Sequence, residues 1–177
     1  MWQSSTVLAD DQVLSEVMRA LAAVPSIQAT FREEKTLAIL QEPLITHGML
    51  YYRAPAYLRK QTLEPQPEDF QVDGDWLTIE IPEQGRRDFN LNGHPQLHAL
   101  VEAIRATQSG NQAVLERYYQ LELVGAPSDW RLRLTPRDPQ TAQYLTLILV
   151  QGHGAWIDRV ETLEADGDRS VMTVTPR

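Results

Sequence analysis

The spacing of hydrophobic residues changes along the chain, and these changes divide it into helices and strands. Near the N-terminus an apolar residue recurs at every third or fourth position, which predicts an amphipathic helix. The middle of the chain predicts a second helix of the same kind. The apolar residues of the first helix are Val13, Leu14, Val17, Met18 and Leu21, and those of the second are Leu97, Leu100, Val101 and Ile104.

Outside the two helices, apolar and polar residues alternate, which is typical of strands with one buried face. Asp73-Gly74-Asp75 joins two such segments, and Asp-Gly at that place indicates a tight hairpin. The predicted strands are 27–31, 46–53, 57–63, 70–72, 76–81, 87–91, 119–123, 130–134, 144–150, 156–163 and 170–175. Because strands outnumber helices, the pattern favours an α+β, mainly β fold with an antiparallel sheet and helices on one side.

The alternation also predicts which strand residues share a face. The sets are Ile27, Ala29 and Phe31 on the first strand, Gly48, Leu50 and Tyr52 on the second, and Leu77, Ile79 and Ile81 after the Asp-Gly hairpin. Amphipathic helices need an apolar surface to cover, so we expect the helices to pack on the apolar face of the sheet. Tyrosines and tryptophans are frequent in the strands, where they either fill the core or line a hydrophobic cavity.

Composition and charge narrow the classes of protein. The chain of 177 residues has no internal repeat or linker, so we expect a single domain over 1–177. A net charge of −8 repels phosphates and argues against nucleic acid as a partner. The absence of cysteine excludes disulfides and thiolate nucleophiles. The longest nearly uninterrupted apolar run, 144–150, is too short to span a bilayer, so we expect a soluble domain.

The candidate chemistry is sparse. His94, His98 and Glu102 fall at i, i+4 and i+8 of the middle helix, where they are either metal ligands or the polar edge beside the apolar stripe. No phosphate loop, dinucleotide fingerprint or Gly-x-Ser-x-Gly motif is present. No nucleophile is paired with a base in the sequence. We therefore expect no catalytic metal, no cofactor and no enzymatic activity.

Three stretches and their order carry a family resemblance. They are the first helix followed by strand 27–31, the strand Gly48-Met49-Leu50-Tyr51-Tyr52-Arg53-Ala54-Pro55, and the hairpin Val72-Asp73-Gly74-Asp75-Trp76-Leu77. The second is similar to a Gly-x-Leu strand that ends in proline, and the third to an Asp-Gly hairpin that leads to an apolar strand. In these features the chain resembles the outer-membrane lipoprotein carrier family, the LolA-like proteins.

The resemblance implies a strongly curved antiparallel sheet, an incomplete barrel, with helices as a lid on its concave face. It also implies a periplasmic carrier that shields acyl chains from water and meets protein partners at the inner or outer membrane. The first residues, Met1-Trp2-Gln3-Ser4-Ser5, do not look like a natural start, which agrees with a removed signal peptide. Composition alone leaves cytoplasm and periplasm open.

From the resemblance and the shared faces we predict a ligand-binding cavity. The residues expected to line it are Ile27, Phe31, Leu50, Tyr52, Leu77, Ile79, Ile81, Val17, Leu21, Leu97, Val101 and Ile104. The competing interpretation is that these residues pack solidly and leave no cavity, as cores normally do.

One position departs from the family pattern. The founding carriers have an arginine directly before the proline of the Gly-x-Leu strand, and this arginine is thought to latch the helical lid. Here Ala54 precedes Pro55, and the arginine is Arg53. A shift by one residue turns a strand side chain to the opposite face. The resemblance therefore implies a variant subfamily with another hydrophobic cargo.

Three functions follow as hypotheses. The first is a periplasmic carrier or binding protein for a lipoprotein, a lipid or another hydrophobic molecule. The alternatives are an envelope sensor or interaction module on the same scaffold, and a cofactor-independent enzyme that uses the cavity. An uninterrupted apolar cavity favours carriage, convergent titratable groups favour an enzyme, and an exposed apolar patch outside the cavity favours the sensor.

Overall fold

The computed structural model describes residues 4–177, and their side chains from residue 10 onward. In this range one sheet of eleven strands is combined with four α-helices. The helices are α1 (Ser4–Ala22), α2 (Pro95–Gln108), α3 (Gln112–Tyr118) and α4 (Pro139–Ala142). The strands are β1 (Ser26–Thr36), β2 (Leu44–Arg53), β3 (Tyr57–Glu64), β4 (Glu68–Asp73), β5 (Trp76–Ile81), β6 (Gly85–Asn90), β7 (Tyr119–Ala126), β8 (Asp129–Pro136), β9 (Leu145–His153), β10 (Trp156–Glu164) and β11 (Arg169–Pro176).

The sheet consists of two meanders joined in the middle. The strand order is β6-β5-β4-β3-β2-β1-β11-β10-β9-β8-β7, and all neighbours are antiparallel. The chain runs from β1 outward to the edge strand β6, crosses through α2 and α3 to the opposite edge at β7, and returns to β11. The edge strands β6 and β7 do not pair, so the sheet stays open. The predicted incomplete antiparallel barrel, α+β and mainly β, with helices on its concave face, is confirmed.

Local sequence explains where the middle helices begin and end. Pro95 lies in the first turn of α2, where its missing N–H costs nothing. Gly110 follows α2 with a φ of +64°, a left-handed conformation that glycine adopts without strain. Asn111 caps α3, because its Oδ1 accepts a hydrogen bond from the Val114 N–H at 3.2 Å. Among the described helices, none is both long enough and apolar enough to cross a bilayer.

The strand register places the predicted apolar sets on one face. Residues directly opposite each other on paired strands share a face. One such row contains Tyr52, Leu58, Val72 and Leu77, and the next contains Leu50, Lys60, Phe70 and Ile79. On the other side of β2, Tyr52 is opposite Ile27, Leu50 opposite Ala29, and Gly48 opposite Phe31. All three sets therefore face the helices, as the alternation predicts.

The helices divide this face into two clusters of unequal size. The larger lies over β7–β10, where α1, α2 and α3 meet Trp130, Leu132 and Leu134, all three of them fully buried. The smaller lies over β4 and β5 and is centred on Val72 and Leu77. Among the helix side chains that the structure describes, only those of α2 contribute to both clusters. Ala99 and Ala103 belong to the first, and Leu97 and Val101 pack against the second.

Close packing explains the glycine of the Gly-x-Leu strand. A β-carbon at Gly48 would lie 1.9 Å from the carbonyl oxygen of Gln61 and 2.8 Å from the Phe31 ring. Gly48→Ala should therefore destabilise the protein by about 1 to 3 kcal/mol, as overpacking does. The expected fall in Tm is about 2 to 10 °C, measured by thermal unfolding.

Gly93→Ala is the matched control, because a β-carbon there meets no atom within 4 Å. Its Tm should stay close to that of the parent protein. Equal Tm values for Gly48→Ala and Gly93→Ala would contradict the packing described for β2.

Candidate functional site

An apolar cavity of about 280 Å³ lies between α2 and the concave face of the sheet. The helix contributes Leu97, Val101, Ile104 and Gln108. The sheet contributes Ile27, Ala29, Leu50, Tyr51, Tyr52, Leu58, Arg59, Lys60, Phe70, Val72, Leu77, Ile79, Trp156, Ile157, Val160, Met172 and Val174. The volume is close to the lower end of the range for small-molecule pockets, about 300 to 1,000 Å³.

The structure brings eight of the twelve predicted ligand-binding residues to the wall of this cavity. They are Ile27, Leu50, Tyr52, Leu77, Ile79, Leu97, Val101 and Ile104. Five come from strands of one meander and three from one stripe of α2. The alternation along the strands therefore identifies one side of the cavity. The helical spacing identifies the face of α2 that covers it, and we call α2 the cover of the cavity.

The other four predicted residues lie outside the wall. Val17 and Leu21 are fully buried in the larger cluster, because α1 packs over β7 rather than over β1–β5. Phe31 is buried on β1 opposite Gly48, the next pair on the same face beyond Ala29 and Leu50. Its ring lies so close to Gly48 that a β-carbon there would be 2.8 Å away. Ile81 ends β5, opposite Gly85.

Sequence reasoning missed the other side of the cavity. Trp156, Ile157 and Val160 on β10, with Met172 and Val174 on β11, complete the wall. They reach it because β11 pairs with β1, a contact between the two ends of the sequence for which no local pattern exists. The sequence did contain a signal that Phe70 and Val72 line the cavity. They alternate with Gln71 on the first strand of the Asp-Gly hairpin, and the second strand carries Leu77 and Ile79.

Two charged side chains of β3 next to the cavity are paired, Lys60 on the concave face and Arg59 on the outer face beside Tyr51. Arg59 donates to both carboxylate oxygens of Asp69, at 2.9 and 3.1 Å from its Nε. Lys60 forms an ion pair with Glu33, which also accepts a hydrogen bond from Ser170. Burial alone would raise the pKa of Glu33, but the charge and hydrogen bond of Lys60 and the Ser170 hydroxyl outweigh it, so the pKa lies below its usual 4.5.

A buried arginine fastens α2 to the sheet. The Arg105 guanidinium donates to the carbonyl oxygen of Ala56 at 3.3 Å, to that of Gly74 and to the Glu102 carboxylate. Ala56 lies in the turn between β2 and β3, and Gly74 in the turn between β4 and β5. Arg105 therefore ties the cover of the cavity to two hairpin turns, a role that the sequence did not reveal.

Arg53 lies on the other face of β2. Its neighbour Tyr52 lines the cavity, whereas Arg53 is exposed and its guanidinium lies 4.7 Å from the centre of the Tyr57 ring. This cation–π contact belongs to the outer surface. The arginine that joins α2 to the sheet, Arg105, thus belongs to α2 and not to the Gly-x-Leu strand.

Both histidines make ordinary side-chain contacts, His98 from within α2 and His94 from the N-cap position just before the helix. The His94 ring packs edge-on against Phe89, with 5.6 Å between ring centres. His98 Nε2 lies 3.4 Å from Glu102, whose carboxylate also binds Arg105. These contacts match the interpretation of a polar edge beside the apolar stripe.

A group of carboxylates at the turn between β10 and β11 has ligand atoms within 4.8 Å of one another. Its members are Glu164, Asp166 and Asp168. Asp168 Oδ1 accepts from the Ala38 N–H at 2.8 Å, and Asp166 Oδ1 from the Asp168 N–H at 3.0 Å. Asp166 thus binds a backbone N–H of its own turn and Asp168 one of the segment between β1 and β2, and none of the three carboxylates lines the cavity.

Arg105→Met should loosen the cover of the cavity. The change removes three hydrogen bonds and leaves Glu102 buried beside His98 alone, so we expect a loss of about 3 kcal/mol or more in chemical denaturation. Amide hydrogen exchange should become faster in α2 and at Gly74. Arg117→Met, at an exposed arginine of α3, is the control and should change neither quantity. If amide hydrogen exchange in α2 were equally slow in Arg105→Met and in the parent protein, the proposed role of Arg105 in fastening α2 to the sheet would be refuted.

Glu33→Gln should destabilise the protein in a pH-dependent way. Because the folded state lowers the pKa of Glu33, its carboxylate stabilises the fold above about pH 4.5 and ceases to do so as the pH falls through the folded value. We expect a loss of about 1 to 3 kcal/mol at pH 7 that shrinks toward pH 3. Glu34→Gln, whose pair with Arg32 is exposed, should cost less than about 1 kcal/mol. A pH-independent loss for Glu33→Gln would contradict the assignment.

Comparison with known proteins agrees with this architecture. Residues 3–175 match the family described as outer membrane lipoprotein carrier protein LolA-like. No curated protein matches the chain.

The chain is similar to several solved structures with which it shares little sequence. MucB is 17% identical over 96% of this chain and 58% of MucB, with a TM-score of 0.52. A DUF1329 family protein from Desulfovibrio piger is 9% identical over 96% and 91%, with a TM-score of 0.50. The lipoprotein LppX of Mycobacterium tuberculosis is 10% identical over 98% and 95%, with a TM-score of 0.49.

At these identities the similarities to MucB and to the DUF1329 family protein establish the fold alone. The family match also establishes which family the chain belongs to, because it extends over nearly the whole chain. The chain therefore belongs to the LolA-like family of outer membrane lipoprotein carrier proteins.

Proposed function

We propose that this protein is a periplasmic carrier or binding protein that shields an acylated or otherwise hydrophobic molecule in the cavity beneath α2. The observation that carries the proposal is the cavity wall, where apolar side chains of both meanders and of α2 surround open space. Transfer of an acyl chain from water into such a space yields roughly 0.8 kcal/mol per methylene. Membership of a carrier family supports the same role.

The charged groups at the cavity favour binding over catalysis. Lys60, whose side chain lies on the concave face of β3, is paired with Glu33, so both ions are already satisfied within the protein. General acid–base chemistry needs a group whose proton can reach the substrate. We therefore propose a non-enzymatic role without a cofactor.

A second candidate function is contact with an envelope protein. Four apolar residues are exposed at the end of the sheet where β1 turns into β2: Ile39, Leu40, Leu44 and Ile45. Ile39 is 90% exposed. An apolar patch outside the cavity favours a protein contact, here one that delivers or accepts the cargo at the inner or outer membrane.

The carrier proposal predicts saturable binding of the neutral fluorescent probe N-phenyl-1-naphthylamine. Leu50→Asn should weaken that binding about tenfold or more, because the probe would have to bury an amide without a partner. Leu44→Asn is the matched control on the same strand, at a residue outside the cavity, and should bind the probe like the parent protein.

Thermal unfolding of the same variants separates a cavity from a solid core. In a cavity the amide introduced by Leu50→Asn can be hydrated, so Tm should fall little. If the parent protein bound no probe and Leu50→Asn were strongly destabilised, the carrier function would be rejected. Ile39→Asn should bind the probe normally. A weakened probe affinity in this variant would place the binding site at the exposed patch.

A further inference from the structure

Exposed apolar side chains are concentrated at one end of the sheet, outside the cavity. In the part of the chain whose side chains are described, nine large apolar side chains are exposed, and five of them lie where β1 turns into β2 and where β9 begins. We call these five the apolar tip: Ile39, Leu40, Leu44, Ile45 and Tyr144. Single exposed apolar residues are normal on a protein surface, whereas a concentration of them marks an interaction site.

The turn between β10 and β11 lies between the two parts of the apolar tip. On one side, Asp168 Oδ1 accepts a hydrogen bond from the N–H of Ala38, the residue before Ile39, at 2.8 Å. On the other side, the Ala165 N–H donates to the carbonyl oxygen of Tyr144 at 2.9 Å. This turn contains Glu164, Asp166 and Asp168, and we call it the acidic turn. A partner that covers the apolar tip must therefore also cover these carboxylates.

The carboxylates of the acidic turn have no cationic partner in the described part of the chain. The nearest cations along the chain face other carboxylates. Arg169 Nε donates to Glu161 at 2.7 Å. Lys35 lies close enough to Glu33 to help lower its pKa. A partner that excludes water from the acidic turn must therefore bring its own cations, because a carboxylate that is buried without one is costly.

A second copy of this chain does not meet that need. A two-fold contact brings the same surface of both copies together, so the acidic turn would face another acidic turn. The net charge of −8 adds to the repulsion.

A lipid surface does not meet it either. Insertion of Ile39 and Tyr144 would press the acidic turn between them against the headgroups. The carboxylates would lose hydration there, and anionic lipids would repel them. The arrangement instead fits a protein segment in which basic side chains alternate with apolar ones.

We propose that the apolar tip and the acidic turn together form a docking surface for a basic, apolar segment of a protein partner. The apolar side chains of the segment would pack on Ile39, Leu40 and Tyr144, and its lysines or arginines would pair with the acidic turn. This assignment rests on the second candidate function, contact with an envelope protein, and specifies the chemistry of that partner. It does not depend on what the cavity binds.

The test uses a short fluorescein-labelled peptide of alternating leucine and lysine, and the same peptide with glutamate in place of each lysine. In fluorescence anisotropy the parent protein should bind the lysine peptide at least about tenfold more tightly than the glutamate peptide at about 50 mM NaCl. The net charge of the protein alone would also favour the lysine peptide, so variants of the surface decide where it binds.

Glu164→Gln combined with Asp166→Asn should weaken the lysine peptide about three- to tenfold at about 50 mM NaCl, and much less at about 500 mM. The amide oxygen at position 166 can still accept from the Asp168 N–H, so the turn should keep its structure. Glu122→Gln combined with Asp129→Asn is the matched control. It removes the same charge from exposed residues of β7 and β8 and should leave the peptide affinity unchanged.

Ile39→Asn should weaken the lysine peptide about tenfold at both salt concentrations, because it removes apolar contact area rather than charge. Val124→Asn is its control, since Val124 is 60% exposed on the edge strand β7, away from the apolar tip. The Tm of both variants should stay close to that of the parent protein, because both side chains are exposed.

Three outcomes would overturn the docking surface. An equal loss of peptide affinity in the surface variants and in their controls would assign binding to the overall charge. Displacement of the peptide by N-phenyl-1-naphthylamine would assign it to the cavity. Binding of the protein to phosphatidylcholine vesicles that is lost in Ile39→Asn, without preference for the lysine peptide, would assign the apolar tip to membranes.

The same variants keep the docking surface distinct from the carrier function. All of them should bind N-phenyl-1-naphthylamine like the parent protein, because none of the changed residues lines the cavity. Normal binding of this probe without specific binding of the lysine peptide would overturn the docking surface and leave the carrier function standing. Specific binding of the peptide by a parent protein that binds no probe would support the docking surface and reject the carrier.

Discussion

The structure depends on the pairing of β1 with β11, which joins the two ends of the sequence. Residues 29–36 lie opposite 169–176, and through this contact two separate meanders become one curved sheet. Without it the apolar faces of β2–β5 and of β8–β10 would not turn toward the same space. The concave face, the packing of the helices and the cavity all follow from this long-range pairing.

The second determinant is the uneven coverage of the concave face. Three helices crowd over β7–β10 and fill that half with a solid core around Trp130. Over the other half, α2 is the α-helix that provides the cover among the side chains from residue 10 onward, and one helix is too narrow to fill a curved surface with side chains. The cavity is therefore a consequence of helix placement, and Arg105 keeps α2 at the correct height above the two hairpin turns.

The local part of this arrangement could be predicted from the sequence, because strand and helix periods are local properties. The alternation at Leu50 and Tyr52 and the stripe at Leu97 and Val101 correctly identify side chains that face each other. The placement of α1 could not be predicted, since its stripe at Val17 fits either half of the sheet equally well. The contributions of β10 and β11 and the role of Arg105 depend on tertiary contacts that leave no periodic signal.

The central claim is that a hydrophobic ligand occupies the space between α2 and the sheet. The most direct test is a methyl NMR titration of the protein, labelled at the methyl groups of Leu, Ile and Val, with methyl decanoate. We expect intermolecular contacts from the acyl chain to Leu50, Ile79 and Val101, and none to Leu21 in the solid core. Contacts confined to the exposed Ile39 and Leu44, or no contacts at saturating ligand, would contradict the claim.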